Sequence, residues 1–331
     1  MKKISIIIPA YNVEQYIDKC LKSISNQTYQ NWEAIIVIDG ATDDTEKLAR
    51  EWEKRDPRFL VEVQENRGSG IARNKGMSKA TGNYMMFIDP DDWIESEMLE
   101  DYEKRMTDSG ADLLISGSTS DFYDRGRLIS SEYDVINERF LCGTKNIREQ
   151  YLNLFSQGLI RGPVTKMYKS QIIKKNRILF PDLYRSQDIV FNYRYFDKIE
   201  SIQLFQSAYY HYRQGLVSQN KKIKTDYYKT ISRIYKEVCT LHRKWGIMPD
   251  ENDFESFCCY LYNALLVQVL IGNSSQEMKN IVSDAGLKML VKKVKPETLK
   301  KKFLKILILM GMYRSINLCI ALYRKMNGPV R

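Results

Sequence analysis

No Cys-x-x-Cys spacing occurs among the six cysteines, Cys20, Cys142, Cys239, Cys258, Cys259 and Cys319, and the adjacent Cys258-Cys259 pair is geometrically poor for a bridge. A disulfide framework and a cysteine-based metal finger are thereby excluded, and a reducing, cytosolic setting is expected. A signal peptide is not expected either. The opening Met1-Lys2-Lys3-Ile4 enters a short apolar run that meets Pro9 and Asn12 too early and has no small-residue cleavage site, so it reads as a first strand. There is no low-complexity linker and no internal repeat. Net charge is lacking over most of the chain. The formal charge is +10, but residues 291–331 hold eleven Lys or Arg against Glu297 alone, which leaves forty acids and forty bases in the first 290 residues. The main body is therefore no polyanion binder, and without an aromatic-studded basic motif a nucleic-acid partner is not expected.

What is present is a regular alternation. Apolar runs at Ile4 to Ile8, Trp32 to Asp39, Phe59 to Gln64 and Tyr84 to Asp89, with a fifth at Asp112 to Ser116, are separated by helical patterns. Strands separated by helices predict βαβ units and a mostly parallel sheet with helices on both faces. Ile17, Cys20, Leu21 and Ile24 recur at the spacing of one buried helix face. Gly40 supplies a tight turn, and Asp43 with Glu46 is expected to cap the helix that follows. From about Thr225 the chain reads as helical over Asp226 to Trp245, Glu255 to Ile271 and Glu297 to Met326. This predicts an α/β domain over 1–224 and a helical region over 225–331.

In open parallel sheets ligands bind outside the carboxyl ends of the strands. Here those ends are Pro9-Ala10-Tyr11-Asn12, Asp39, Glu65-Asn66-Arg67-Gly68 and Asp89-Pro90-Asp91-Asp92. An apolar run closed by three carboxylates is costly unless it meets a ligand, and Asp-x-Asp suits a hard divalent cation completed by substrate phosphates. A helix start capped by Asp91 or Asp92 at Trp93 is the competing reading. Gly68-x-Gly70-x-x-Arg73 fails as a dinucleotide fingerprint, because it lacks the third glycine and follows the third strand. A phosphotransferase built on Asp89 would need a phosphate-cradling turn that Pro90-Asp91-Asp92 does not offer.

Taken in order, Ser5-Ile6-Ile7-Ile8-Pro9-Ala10-Tyr11-Asn12, Val37-Ile38-Asp39-Gly40, Glu65-Asn66-Arg67-Gly68-Ser69-Gly70-Ile71-Ala72-Arg73 and Phe87-Ile88-Asp89-Pro90-Asp91-Asp92 resemble the signature of family 2 glycosyltransferases with the GT-A fold, as in bacterial capsule and surface-polysaccharide enzymes. The resemblance implies a UDP-sugar donor, with Pro9 and Tyr11 at the nucleoside, Asp39 at the base, Asn66 and Arg73 by the nucleotide and diphosphate, and Asp89 at the ribose. It places Mn²⁺ or Mg²⁺ on Asp91, with Asp92 beside it, and the catalytic base on Asp188. Arg213 and Ser218 would close over the diphosphate. His211 reads more simply as a packed residue, and a helix N-cap is the plain alternative for Asp188. Two positions depart from the family pattern: Ile38 stands where an acid is usual, and Gln187 where Glu precedes the base. Gln187 keeps open a second function, an inactive nucleotide-sugar binding module or assembly subunit.

The tail interleaves apolar residues with Lys300, Lys301, Lys302, Lys305, Arg314, Arg324 and Lys325. Its longest uncharged stretch, Ile306 to Tyr313, falls far short of a membrane span. Two arrangements fit: peripheral contact with an anionic membrane, or packing on the body or on a second copy in a homo-oligomer. The resemblance and the tail together imply a glycan acceptor on a polyprenyl diphosphate carrier, reached at the cytoplasmic, inner face of the cell membrane.

Overall fold

A computed structural model describes residues 1–134, 136–183, 185–215, 226–271 and 274–327. The chain divides into two compact units, one formed by Met1–Ile147, Leu159–Asp182 and Gln187–Val217, the other by Arg148–Gly158, Leu183–Ser186 and Ser218–Arg331.

The first unit runs β1 (Ile4–Ala10), α1 (Ile17–Ser25), β2 (Trp32–Asp39), α2 (Thr45–Arg55), β3 (Phe59–Gln64), α3 (Ser69–Lys79), β4 (Tyr84–Phe87), β5 (Trp93–Ile94), α4 (Met98–Ser109), β6 (Leu113–Ser116), β7 (Ser118–Asp124), β8 (Arg127–Asp134) and β9 (Arg139–Cys142). It continues, after the start of α5 (Thr144–Ser156), through β10 (Lys166–Lys169), α6 (Ser170–Asn176), α7 (Gln187–Phe196), β11 (Ser201–Phe205) and β12 (Tyr210–Gln214). An eight-stranded sheet has the order β3-β2-β1-β4-β10-β6-β11-β9. Its β3-β2-β1-β4 half is wholly parallel, and β10 runs antiparallel to both β4 and β6. Every residue of β1 and β2 is buried, as continuous Ile/Val runs demand of strands covered on both faces. The expected face of α1 (Ile17, Cys20, Leu21, Ile24) is buried in that core.

Two local expectations fail in the first unit. Asp43 does not cap α2: its Oδ1 accepts from the Thr45 N–H at 3.0 Å and its Oδ2 from the Glu14 N–H at 3.1 Å, so it makes an Asx turn and ties two loops. No helix begins at Trp93; Trp93–Ile94 is β5, and α4 starts at Met98, which removes the capping role offered for Asp91 and Asp92. The first unit also holds a sheet that the alternation did not reveal. β5-β12-β7-β8 form a second, four-stranded sheet whose β12 pairs parallel with β7 and antiparallel with β5.

The second unit is helical: α8 (Tyr227–Trp245), α9 (Glu251–Ile271), α10 (Ser275–Ser283), α11 (Ala285–Lys293), α12 (Leu299–Leu309) and α13 (Tyr313–Asn327). A capping box joins Ser274 and Glu277 at the start of α10, and the Asp284 carboxylate caps α11. The single helix expected over Glu297 to Met326 is broken at Gly311, whose φ of +72° ends α12 in a left-handed turn while the Met312 N–H reaches the Leu307 oxygen at 2.9 Å. Among the described residues no helix is long and apolar enough to cross a membrane.

Candidate active site

The parallel half of the large sheet brings four strand ends together. Asp39 closes β2 and is 3% exposed, yet it is not idle: its Oδ1 accepts from Gln64 Nε2 and the Arg67 N–H, and its Oδ2 from the Gly68 N–H, each at 2.8 Å. A carboxylate has about four acceptor sites, so Asp39 shapes the 65–68 loop and keeps room for one further donor. Gly40 follows with φ +68°, and a Cβ there would meet the Asn66 nitrogen at 2.6 Å, so a side chain is excluded on both counts. Asn66 itself is exposed. Pro9 is buried in β1 beyond the last pairing with β4, Ile7 with Phe87, where its missing N–H costs no ladder bond on that side. Tyr11 stands exposed just beyond the strand, and the Asn12 Oδ1 binds the Thr42 N–H at 2.8 Å, fastening the first loop to the second.

Arg73 lies on α3, buried to 4% exposure, and does something the resemblance alone did not imply. Its Nη1 donates to Asp188 Oδ1 at 2.9 Å and its Nη2 to Asp89 Oδ1 at 2.8 Å. One guanidinium thus joins the end of β4 to the start of α7. Burial works against its charge, but Asp188 and Asp89 more than offset this and raise its pKa. Its Nε is buried without a partner among the described residues. Asp188 is not an N-cap, since α7 begins one residue earlier, at Gln187. Its Oδ2 has no hydrogen bond among the described residues. Burial pushes the Asp188 carboxyl up, the Arg73 charge pulls it down, Asp89 pushes up again, and the Lys166 ammonium pulls down. Gln187 donates to Ser69 Oγ at 2.8 Å, and its Oε1 is buried without a partner among the described residues.

The acidic turn separates three carboxylates by their neighbours. Asp89 is held by Arg73. Asp92, 5% exposed, accepts from Tyr210 Oη at 2.6 Å through Oδ2 and from the Arg213 N–H at 2.9 Å through Oδ1, so it pins the turn to β12. Burial raises its pKa well above the usual range, with Asp89 and Asp91 adding to the push. Asp91 is half-buried and its carboxylate pairs with no other side chain among the described residues; burial raises its pKa, and Asp89 adds to it. The Arg213 Nε donates to the Asp91 carbonyl oxygen at 3.2 Å, while its guanidinium lies 4.3 Å from the Tyr123 ring centroid. Ser218 lies outside the described residues.

Among the described residues no three His, Cys, Asp or Glu side chains are grouped to hold a metal alone. A magnesium-type site needs only one or two protein carboxylates when phosphates complete it, and Asp91 is the acid left uncommitted, so the residues fit that kind of site. His211 does not join it. Its Nδ1 faces Asp121 Oδ2 and its Nε2 faces Glu95 Oε1, each at 3.0 Å, and its ring stacks on Trp93 at 3.6 Å between centroids.

Lys166 was not among the residues the motifs pointed to. It sits on β10, 2% exposed, with Nζ donating to the Val164 oxygen at 3.1 Å, and burial draws its pKa from 10.5 down to about 7 against the pull of Asp188. The available signal was a lysine starting the short apolar stretch Lys166-Met167-Tyr168. Tyr210 was likewise hidden among the tyrosines of 209–212.

Comparison with known proteins gives this arrangement a context. EpsH of Bacillus subtilis is 36% identical over 219 residues, covering 65% of this chain and 62% of EpsH. A poly(ribitol-phosphate) beta-glucosyltransferase of Bacillus spizizenii is 29% identical over 215 residues, covering 63% of this chain and 32% of that one. The chain therefore matches less than two thirds of the length of either relative. The crystal structure of S. aureus TarS 1-349 in complex with UDP has the same GT-A architecture, with a TM-score of 0.68 at 20% identity over 98% of this chain and 92% of that one. The same TarS segment has also been solved with UDP-GlcNAc. The sequence profile of glycosyl transferase family 2 matches residues 5–175, just over half of the chain, and includes Asp39, Asp89 and Asp91 at or just beyond strand ends and Arg73 on α3, so the chain belongs to glycosyl transferase family 2.

Proposed function

We propose that the chain transfers a hexosyl or N-acetylhexosaminyl group, with inversion, from a UDP-sugar to a hydroxyl of a growing surface glycan. The observation that carries this reading is the Asp89–Arg73–Asp188 bridge. It orients one carboxylate beside two cations, whose pull opposes the upward push of burial, and leaves its Oδ2 without a hydrogen bond among the described residues, open to an incoming hydroxyl. Asp188 takes the proton of the acceptor hydroxyl as that oxygen attacks the anomeric carbon, and general-base help of this kind is worth ~10²–10⁴-fold. Its upward-shifted pKa suits a base working near neutral pH.

In this proposal the uracil N–H takes the remaining acceptor site of Asp39, Pro9 and Tyr11 wall the nucleoside, Asn66 borders it, and Asp89 receives the ribose. Arg213 faces the diphosphate, and Arg73 adds positive charge behind it; Ser218, the other residue the resemblance assigns to the diphosphate, lies outside the described residues. Asp91 would hold Mn²⁺ or Mg²⁺. When bound, such a cation supplies Lewis-acid neutralisation of the departing diphosphate. The UDP and UDP-GlcNAc complexes of TarS support the donor class, and the poly(ribitol-phosphate) relative supports a surface polymer as acceptor. We further infer that the donor and catalytic groups belong to a domain spanning 1–224, that 225–331 serves as a helical appendage, and that the acceptor is carried on a polyprenyl diphosphate at the cytoplasmic face of the membrane.

The deciding experiment measures UDP release from a panel of UDP-sugars by wild type and by Asp188→Asn. Donor affinity should be nearly equal while turnover drops by ~10²-fold or more, because the group acts mainly in the transition state. Unimpaired turnover in the variant would dismiss Asp188 as the base. Donor binding with no turnover in the wild type would favour the binding module instead.

A further inference from the structure

The second unit turns an apolar stripe outward. Leu299, Phe303, Ile306 and Met310 recur at i, i+4, i+7 and i+11 along α12 and its end, which places them on one helical face, and they are 82%, 52%, 52% and 67% exposed. Burial falls on Ile308, on the opposite side of the helix, and on Leu307, which borders the stripe one turn on from Phe303, so the helix docks by that flank and back while the stripe itself stays exposed. Docking is firm on that inner side: Tyr262 Oη donates to the Lys301 oxygen at 2.8 Å, and Lys305 Nζ to the Val294 oxygen at 2.6 Å. On α13, Leu318 and Leu322 add a further exposed i, i+4 pair. Single exposed leucines need no explanation, but an ordered row of them does.

We propose that this stripe is the surface by which the chain lies on an anionic phospholipid bilayer. The proposal rests on the membrane-side acceptor inferred above and names the contact. Exposed Lys300 and Lys302 flank the stripe on either side, as in helices that rest in the headgroup plane with apolar residues sunk toward the acyl boundary. Charge decides between the two available occupants. A second copy meeting this face through a twofold axis would set one strongly basic segment against another, since residues 291–331 carry eleven bases and one acid. Anionic headgroups are complementary to it. The row spans ~16 Å at 1.5 Å per residue, well short of crossing a bilayer but long enough to lie in its surface.

The test is sedimentation of the full chain with vesicles of phosphatidylcholine and with vesicles of phosphatidylcholine mixed with phosphatidylglycerol, at low and raised salt. Binding should need the anionic lipid and weaken with salt. Lys300→Gln with Lys302→Gln should reduce affinity by about 25-fold, at roughly fivefold per lysine. Phe303→Ser with Ile306→Ser should reduce it by at least ~10-fold. Circular dichroism and transfer to a soluble acceptor should be unchanged in both variants, since all four side chains are exposed and none is among the donor or catalytic groups proposed above. If intact protein ignores anionic vesicles, if the serine variant binds as tightly as wild type, or if that variant instead dissociates an oligomer seen by ultracentrifugation, the proposal is overturned. Lack of turnover in every form, with vesicle binding as described, would remove the proposed reaction and leave the docking surface standing.

Discussion

Replacing Lys166 by methionine should make the protein more stable, and only at the acid end of the pH range. The Lys166 ammonium is 2% exposed, has one hydrogen bond among the described residues, and titrates at about 7 rather than 10.5 because burial disfavours its charge. An unfolded chain keeps its lysines protonated up to ~10.4. Between pH 7 and about 10.4 the unfolded state therefore binds more protons than the folded state, so stability from this group rises with pH through that window. Below about pH 7 the whole penalty stands. At ~1.4 kcal/mol per pKa unit the gap corresponds to roughly 4–5 kcal/mol. Methionine fills a similar volume at a packing cost of under about 1.5 kcal/mol. A net gain of about 3 kcal/mol is expected at pH 6, fading toward pH 10. Urea unfolding followed by tryptophan fluorescence would give both midpoints, with an unchanged slope as the check on two-state behaviour. The same variant removes a cation that pulls Asp188 down, so the acid limb of its turnover profile should move to higher pH. A variant no more stable than wild type at pH 6 would refute the buried-ammonium argument, and an unmoved acid limb would refute the coupling to Asp188.

Asp91→Asn should abolish the extra thermal stabilisation that Mn²⁺ gives in the presence of UDP while leaving the apo fold intact, since Asp91 pairs with no other side chain among the described residues; metal-independent UDP binding by the wild type would contradict its role. Asp39→Ala should weaken UDP binding and also loosen the 65–68 loop, visible as faster amide exchange at Arg67 and Gly68, whose N–H groups it now accepts. Protected amides there would show that the loop holds its shape without the carboxylate. Gly82→Ala should destabilise the first unit by about 1–3 kcal/mol, because its new Cβ would fall 2.7 Å from the Ser5 nitrogen and 2.8 Å from the Lys3 oxygen, both backbone atoms. An unchanged urea midpoint would show that β1 can yield there.

The βαβ order, the buried face of α1 and the family were legible in the chain, because hydrophobic period and strand-end chemistry are local properties written in consecutive residues. Pro9, Asp39, Asp89 and Asp91 could be singled out for the same reason: each lies where an apolar run stops. The pairing of charges could not be read this way. Arg73 meets Asp188 across 115 positions, and Asp92 meets Tyr210 across 118, so which acid is bridged, which is pinned and which is left open depends on strand order and on the return of β12. The second sheet and the lysine drawn into β10 are decided by the same long-range packing. So is the outward turn of the tail's apolar row, since sequence periodicity shows that a helix has an apolar face but only the packed fold shows whether that face is covered.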